Sequence, residues 1–485
     1  AEVGKIKIHK TGEEFYLGFV PIRPNRFITL VEKYLIPVIQ KWDSHNKIPT
    51  NSRKSMGIEV ANTLIASHAL QQALPQIRRV FTVPLPIISE KKLTFPKKGY
   101  DERFESWLPY DAPELIKPEM ELSEAKKVID EIFKEFCFDE DKNHNKVNAI
   151  AGLLTPFLRG LFSSFNVRTP IFFYLGNRER VGKDYLAGIT GIIYEGQVTE
   201  ESPISVNENF KNNDSNELRK KILSAFLQGR KRLHFSNNKG FIDNAVLESL
   251  ATNPYFSDRI LGRNESFVFA NELDLSLSGN MGVSYTPDFA NRCRFIKLFL
   301  GIENANERKF NKPNLHIWVK ENRGLILSAL FSLVKNWFEK GSPKGTIPFT
   351  SYPEWASICG GILESAGYGS PCIPDIDSLV GGDVETSDMK RLFELCYEKH
   401  PNIFITKEEV RNIITDSSEE IFSEYNFTKD PDKTKFGIKF KKYIGRILSG
   451  ITLQVDVAGR VSTKQKVRFS KELQKTLESN NEEQK

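Results

Sequence analysis

Phe172–Ile189 reads FFYLGNRERVGKDYLAGI, a short apolar run followed by a charged loop and the start of a helical pattern. The run is of the kind that a strand buried on both faces requires. The loop approaches the phosphate-binding pattern G-x-x-x-x-G-K-[ST]. In that pattern, backbone N–H groups and the next helix N-terminus face the phosphates while a lysine neutralises the β and γ oxygens. Gly182 and Lys183 stand where this geometry needs them. Two positions depart from the pattern. Gly176 lies one residue early, which puts Asn177, a residue type tolerant of left-handed backbone angles, at the first glycine position. Asp184 replaces the hydroxyl residue that follows the lysine.

The other half of such a site is ordinarily a carboxylate at the end of a neighbouring strand, which helps to hold Mg²⁺ and orient water. The matching run, RLHFSNN at 232–238, ends instead in Ser236, Asn237 and Asn238. Asp184 and Ser236 thus read as an exchanged pair, with the carboxylate on the loop and the hydroxyl on the strand. Mg²⁺, which prefers oxygen ligands and keeps several waters, suits such a shell. The expected cofactors are ATP and Mg²⁺, with Gly176, Asn177, Gly182, Lys183 and Asp184 on the nucleotide and Asp184 and Ser236 on the metal. Lys183 and Asn237 are catalytic candidates from this half of the site. The rival reading is a degenerate loop that binds nucleotide weakly or not at all.

Outward from the loop, KRLHFSNN, FVFANE and RCRFIKLFL are short β-rich runs separated by helical or loop segments. Strands interleaved with helices predict a three-layer, mostly parallel α/β core. Ser123 is a plausible N-cap for the helix SEAKKVIDEIFKEFCF, and HIWVKENRGLILSALFSLVKNWFEKG reads as one or two amphipathic helices. Before them, residues 1–122 mix a helical segment, Ile58 to Ala73, with short strands and proline turns, and form a separate α+β head. The α/β domain is expected over 123–370, a Gly-, Pro- and Asp-rich linker over 371–384 and a basic α+β domain over 385–485.

At 485 residues, 40% of them hydrophobic, the chain has ample material for several cores. It contains no run of about 18 apolar residues and no apolar signal region at its start, so a cytoplasmic protein with no membrane partner is expected. Cys137, Cys293, Cys359, Cys372 and Cys396 lie far apart and read as reduced structural thiols rather than a zinc site. A net charge of +6 is mild for this length, which places any nucleic-acid surface in a local patch.

From RRVFTVPLPIISEKKLTFPKKGYDERFESW through the loop and FSNNKGFIDNAVLESLATNPYFSDRILGRNESFVFANE to DFANRCRFIKLFLGIENANERKF and SYPEWASICGGILESAG, the motif order resembles phage and mobile-element primase-helicases. Their motor is similar to the superfamily-3 AAA+ helicases. The resemblance spans roughly 75 to 370, and the whole chain looks like the C-terminal region of primase-polymerases of deep-sea-vent phages. It implies an ATP-driven DNA helicase in a homo-oligomeric, hexameric ring in the cytoplasm of an infected host. It also implies single-stranded or forked DNA as partner and a primase-polymerase domain ahead of Ala1. Asn271 in FVFANE matches the sensor asparagine beside the γ-phosphate, whose amide can bond both phosphate and water. Arg292 matches the arginine finger that reaches a neighbour's nucleotide, with Arg294 as the alternative. Arg259 and Arg263, flanking a turn at Leu261 and Gly262, match the DNA-gripping hairpin, and SLSGNMGVSYTPD at 276–288 is a competing DNA-facing loop.

Between Lys433 and Lys471, Lys and Arg recur against the single acid Asp456, interleaved with Phe436, Phe440, Tyr443 and Phe469. Basic residues with aromatics suit a nucleic-acid surface, with Lys441 and Lys442 as contacts. KFKKYIGRIL reads as a helix and ITLQVDVAGRVSTKQKVRF as a hairpin turning near Ala458 and Gly459, an order that resembles a winged helix. The second functional reading is an oligomeric DNA-binding scaffold with a vestigial nucleotide site that holds a polymerase on its template. Glu272 and Asp274 in NELDLS read as alternating surface acids rather than a polymerase site.

Overall fold

The computed structural model describes the chain except for residues 1, 8–14, 21, 110–111, 139–143, 205–210, 260–265, 282, 302–310, 376–383, 418–420, 423–424, 442, 446, 449, 457–465 and 472–485. It divides into two compact units, Ala1–Val283 with Asn291–Pro374, and Ser284–Ala290 with Asp375–Lys485.

The first unit opens with small elements. The helix expected from Ile58 to Ala73 is broken at Ser67, which ends Ile58–Ala66 in extended backbone and caps His68–Ala73 by accepting from Leu70 N–H. An antiparallel hairpin pairs β1 (Val38–Asp43) with β2 (Ile48–Arg53). Residues Phe81, Val83, Leu85, Leu108 and Ile116 belong to the same apolar core as the later α/β elements.

The α/β core is a four-stranded sheet built on β3 (Ile171–Gly176), every residue of which is buried. Its other strands are β4 (Arg232–Asn238), β7 (Asp274–Asn280) and β8 (Cys293–Leu298), in the order β4-β7-β3-β8 and parallel throughout. Between β4 and β7 the chain makes an antiparallel hairpin of β5 (Tyr255–Arg259) and β6 (Ser266–Ala270), so FVFA is not a strand of the central sheet.

Helix α1 (Lys183–Glu195) follows β3, and α2 (Lys211–Leu227) precedes β4. The expected pair of C-terminal helices of this unit forms as Leu315–Glu321 and α3 (Arg323–Glu339). Ile326, Leu327, Leu330 and Val334 of α3 are buried with Ile129 and Ile132 of the helix Leu122–Phe133, which starts without the expected Ser123 cap.

The second unit places α4 (Val384–Lys399), β9 (Phe404–Thr406), α5 (Lys407–Thr415) and α6 (Asp430–Lys441) before β10 (Ile447–Leu448), β11 (Ile451–Val455) and β12 (Lys466–Lys471). The strands form an antiparallel sheet in the order β9-β12-β11-β10. Thr406 and Glu409 close a capping box at the start of α5. The expected turn at Ala458 and Gly459 lies outside the described residues. Phe436, Phe440, Tyr443 and Phe469 are buried with Phe393 and Leu453, so the rings expected beside the basic residues form the core of this unit.

Candidate active site

In an open parallel sheet, ligands bind beyond the carboxyl ends of the strands, where successive connections leave in opposite directions. Here the chain leaves β3 for β4, returns to fill the place between them with β7, and then crosses β3 to reach β8. The crevice defined by that reversal lies at Gly176, the last residue of β3, and its register partner Asn280, the last of β7.

Gly176 is held to glycine by packing, because a Cβ there would collide with Cγ1 of Val181. Gly182 is held to glycine by conformation, since it forms the N-cap of α1 with φ of 99°. Lys183 opens the helix and is buried, its ammonium 3.5 Å from Oδ2 of Asp184. Asn177 does a different job from the one expected. Its amide accepts from Leu300 N–H at 2.9 Å and donates to Leu300 O at 3.2 Å, while its own N–H donates to Leu298 O at 3.1 Å. It ties the loop to the chain just beyond β8.

Asp184 and Ser236 do not meet in a hydrogen bond in the described structure. Oδ1 of Asp184 accepts from the Ser278 hydroxyl of β7 and lies 3.9 Å from Nε2 of the buried His234. Ser236 instead directs its hydroxyl to Glu201 O at 3.5 Å. Burial opposes the charge of Asp184, but the nearby His234 imidazole, the hydrogen bond from Ser278 and the charge of Lys183 outweigh it and hold the carboxyl down to about 2. Burial pushes His234 below its ordinary range against the pull of Asp184, and its Nδ1 lies 2.9 Å from the Ser276 hydroxyl. Asn237 sits at the exposed end of β4 with φ of 55°, and its N–H donates to Ser278 Oγ at 3.1 Å. Ser278 therefore links the loop carboxylate to the Asn237 backbone, a link the sequence reading lacked.

The sensor assignment to Asn271 is corrected by topology. Asn271 precedes β7 at the amino end of the sheet, fully buried, with its amide donating to Leu250 O at 2.7 Å and Asn253 O at 2.9 Å. A seven-residue strand separates it from the crevice, about 23 Å at the usual rise. The asparagine that reaches the crevice is Asn280, whose Oδ1 is buried without a hydrogen-bond partner. It lies within the stretch expected as a DNA-facing loop, which proves to run from the central strand β7 into the turn beyond it.

Arg292 lies just before β8, at the amino edge of the sheet, where its carbonyl accepts from Ile171 N–H at 2.9 Å. Arg294 is buried with its guanidinium 3.5 Å from the centroid of the Phe349 ring. Arg259 ends β5 and is exposed, while Arg263 and Lys442 lie outside the described residues and Lys441 is exposed at the end of α6. Glu272 and Asp274, expected on the surface, are buried in ion pairs with Arg79 and Lys231 and with Arg159 respectively.

Among the described residues no helix is long and apolar enough to cross a membrane, and no cluster of three or more His, Cys, Asp or Glu side chains could hold a metal ion. A nucleotide-bound Mg²⁺ does not need one, since it commonly takes one or two carboxylates and completes its shell with phosphate and water. The unpartnered oxygen of Asn280, the two constrained glycines and the charged carboxylate of Asp184 fit a Mg-nucleotide at this crevice.

No family model matches the chain, and no curated protein matches it. Among solved structures it is similar to the apo C-terminal region of NrS-1, at 11% identity and a TM-score of 0.37 over 92% of this chain and 99% of that one. A structure of residues 305–718 of the same region matches at 12% identity and a TM-score of 0.31, over 63% of this chain and 67% of that one. The SCCmec type IV Cch protein, described as an active helicase, matches at 11% identity and a TM-score of 0.34, over 90% and 93% of the two chains.

Proposed function

We propose that the chain is the ATP-dependent helicase motor of a phage or mobile-element replication protein, with an AAA+ core of the superfamily-3 kind. It would act as a homo-oligomeric, hexameric ring that translocates on single-stranded DNA beside a primase-polymerase domain. The observation that carries the reading is the crevice at the carboxyl end of β3, where Gly182 and Lys183 open α1 beside the unpartnered amide oxygen of Asn280. Backbone N–H groups of the loop and the helix N-terminus would hold the phosphates, and Lys183 would neutralise the β and γ oxygens. Asn280 would orient the attacking water, and Arg292 would serve the site of a neighbouring subunit. Mg²⁺, where bound, offsets phosphate charge, with Asp184 as its protein ligand and Ser278 fixing the carboxylate.

DNA contacts are assigned to Arg259 at the end of β5, to Lys441 at the end of α6, and to Arg263 and Lys442, which lie outside the described residues. The order of helices and strands in the second unit supports reading it as a winged helix. The competing scaffold reading keeps the ring and the DNA but gives the nucleotide site no turnover. ATP hydrolysis with and without single-stranded DNA, on the chain and on Lys183→Ala, separates them. DNA-stimulated hydrolysis that disappears in the variant is expected. An intact oligomer that binds DNA without hydrolysing ATP would overturn the motor in favour of the scaffold.

A further inference from the structure

We propose that the Trp42 face of the β1–β2 hairpin binds single-stranded nucleic acid by stacking and phosphate contact. The hairpin register puts Val38 opposite Arg53, Gln40 opposite Asn51 and Trp42 opposite Pro49, and these pairs share one face because side chains alternate along a strand. Each of these residues is exposed, and Trp42 keeps 67% of its surface in solvent. By contrast, Trp337 and Trp355 are 4% and 0% exposed. Two-stranded hairpins are marginal without cover, so a bare indole on such a face is where a partner is expected to add burial.

The chemistry of the face selects the partner. An aromatic ring accepts a base by stacking without regard to sequence, the amides of Gln40 and Asn51 meet base edges, and the Arg53 guanidinium meets a phosphate. Lys33, Lys47 and Lys54 lie close by in sequence, while Lys41, paired with Thr50, belongs to the opposite face. The nearby acids Asp43 and Glu32 are engaged locally. Asp43 accepts from the backbone of His45 and Asn46 and from the Asn46 side chain, and Glu32 accepts from Ser55 and Met56. Among the six paired residues of the face Arg53 is the one charged side chain, and its charge is positive. The face thus complements a polyanion with exposed bases.

This inference rests on the reading that the chain works on single-stranded DNA, and its test is kept apart from the motor. Binding of oligo(dT) to the intact chain is followed by anisotropy and by tryptophan emission across a salt series. The expected result is quenching in the wild type that is absent in Trp42→Ala, with affinity about tenfold weaker in the variant. Arg53→Ala should lower the salt slope by about one, and duplex DNA of the same length should leave the emission unchanged. Unaltered affinity and salt slope in both variants would overturn the proposal. So would a change in sedimentation of Trp42→Ala with DNA affinity intact, which would give the face to a second copy of the chain. ATP turnover measured alongside distinguishes the two claims. DNA-stimulated hydrolysis with Trp42-independent binding sinks the hairpin site alone, and Trp42-dependent binding without hydrolysis sinks the motor alone.

Discussion

Asn280 and Asn271 sit at opposite ends of the same strand region and call for opposite phenotypes. Asn280 offers an unpartnered amide oxygen at the crevice, so Asn280→Ala should leave nucleotide binding in place and lower kcat about 100-fold, the usual cost of one positioned polar group. Asn271 spends its amide on Leu250 O and Asn253 O, so Asn271→Ala should cost about 1–3 kcal/mol of stability and leave kcat of the folded protein near wild type. Chemical denaturation and steady-state hydrolysis on the two variants check this, and exchanged phenotypes would restore the sensor role to Asn271. The choice between the two asparagines was hidden in the sequence. Ser276 and Ser278 make β7 look like a solvated segment, yet both are buried because His234 and Asp184 take up their hydroxyls. Gly182 and Lys183 were legible because the motif and an all-apolar strand coincide there.

At the level of elements, the same confusion runs the other way for β6. Its apolar run SFVFA reads as a buried strand, yet Val268 is 68% exposed because β6 pairs only with β5, outside the central sheet. What holds that hairpin is α2. Phe226 stacks on Phe256 and Phe269 at centroid distances of 5.1 and 5.3 Å, and Arg219 pairs with Asp258 at 3.0 Å. Such contacts fix the base of the hairpin to the helix that leads into β4, while Arg259, opposite Ser266, stands at the other end of the paired strands. Phe226→Ala forfeits both ring contacts, about 1–3 kcal/mol together. If the hairpin grips DNA, the variant should keep basal hydrolysis and lose most of its stimulation by single-stranded DNA. Full stimulation in a folded Phe226→Ala protein would remove the hairpin from the DNA path.

For the whole molecule, the deciding fact is that Lys183 and Arg292 belong to opposite edges of one parallel sheet. Six residues of β8 separate Arg292 from the crevice, about 20 Å at the usual rise, so an arginine there cannot serve the nucleotide held by its own chain. If it acts in catalysis it acts on a neighbour, and head-to-tail contacts of that kind make a ring where the rotation between subunits closes and a filament where it does not. Lys183→Ala and Arg292→Ala should then each be inactive alone and regain activity when mixed, because some interfaces pair an intact Lys183 with an intact Arg292. Random exchange at equal amounts makes about one interface in four complete, which caps the recovery near a quarter of wild-type turnover if sites act independently. Recovery far below that cap, with subunit exchange verified by labelled mixing, would mean that neighbouring sites must fire together. Arg292→Ala active alone would instead leave the arginine with no part in hydrolysis and remove this residue's support for a ring.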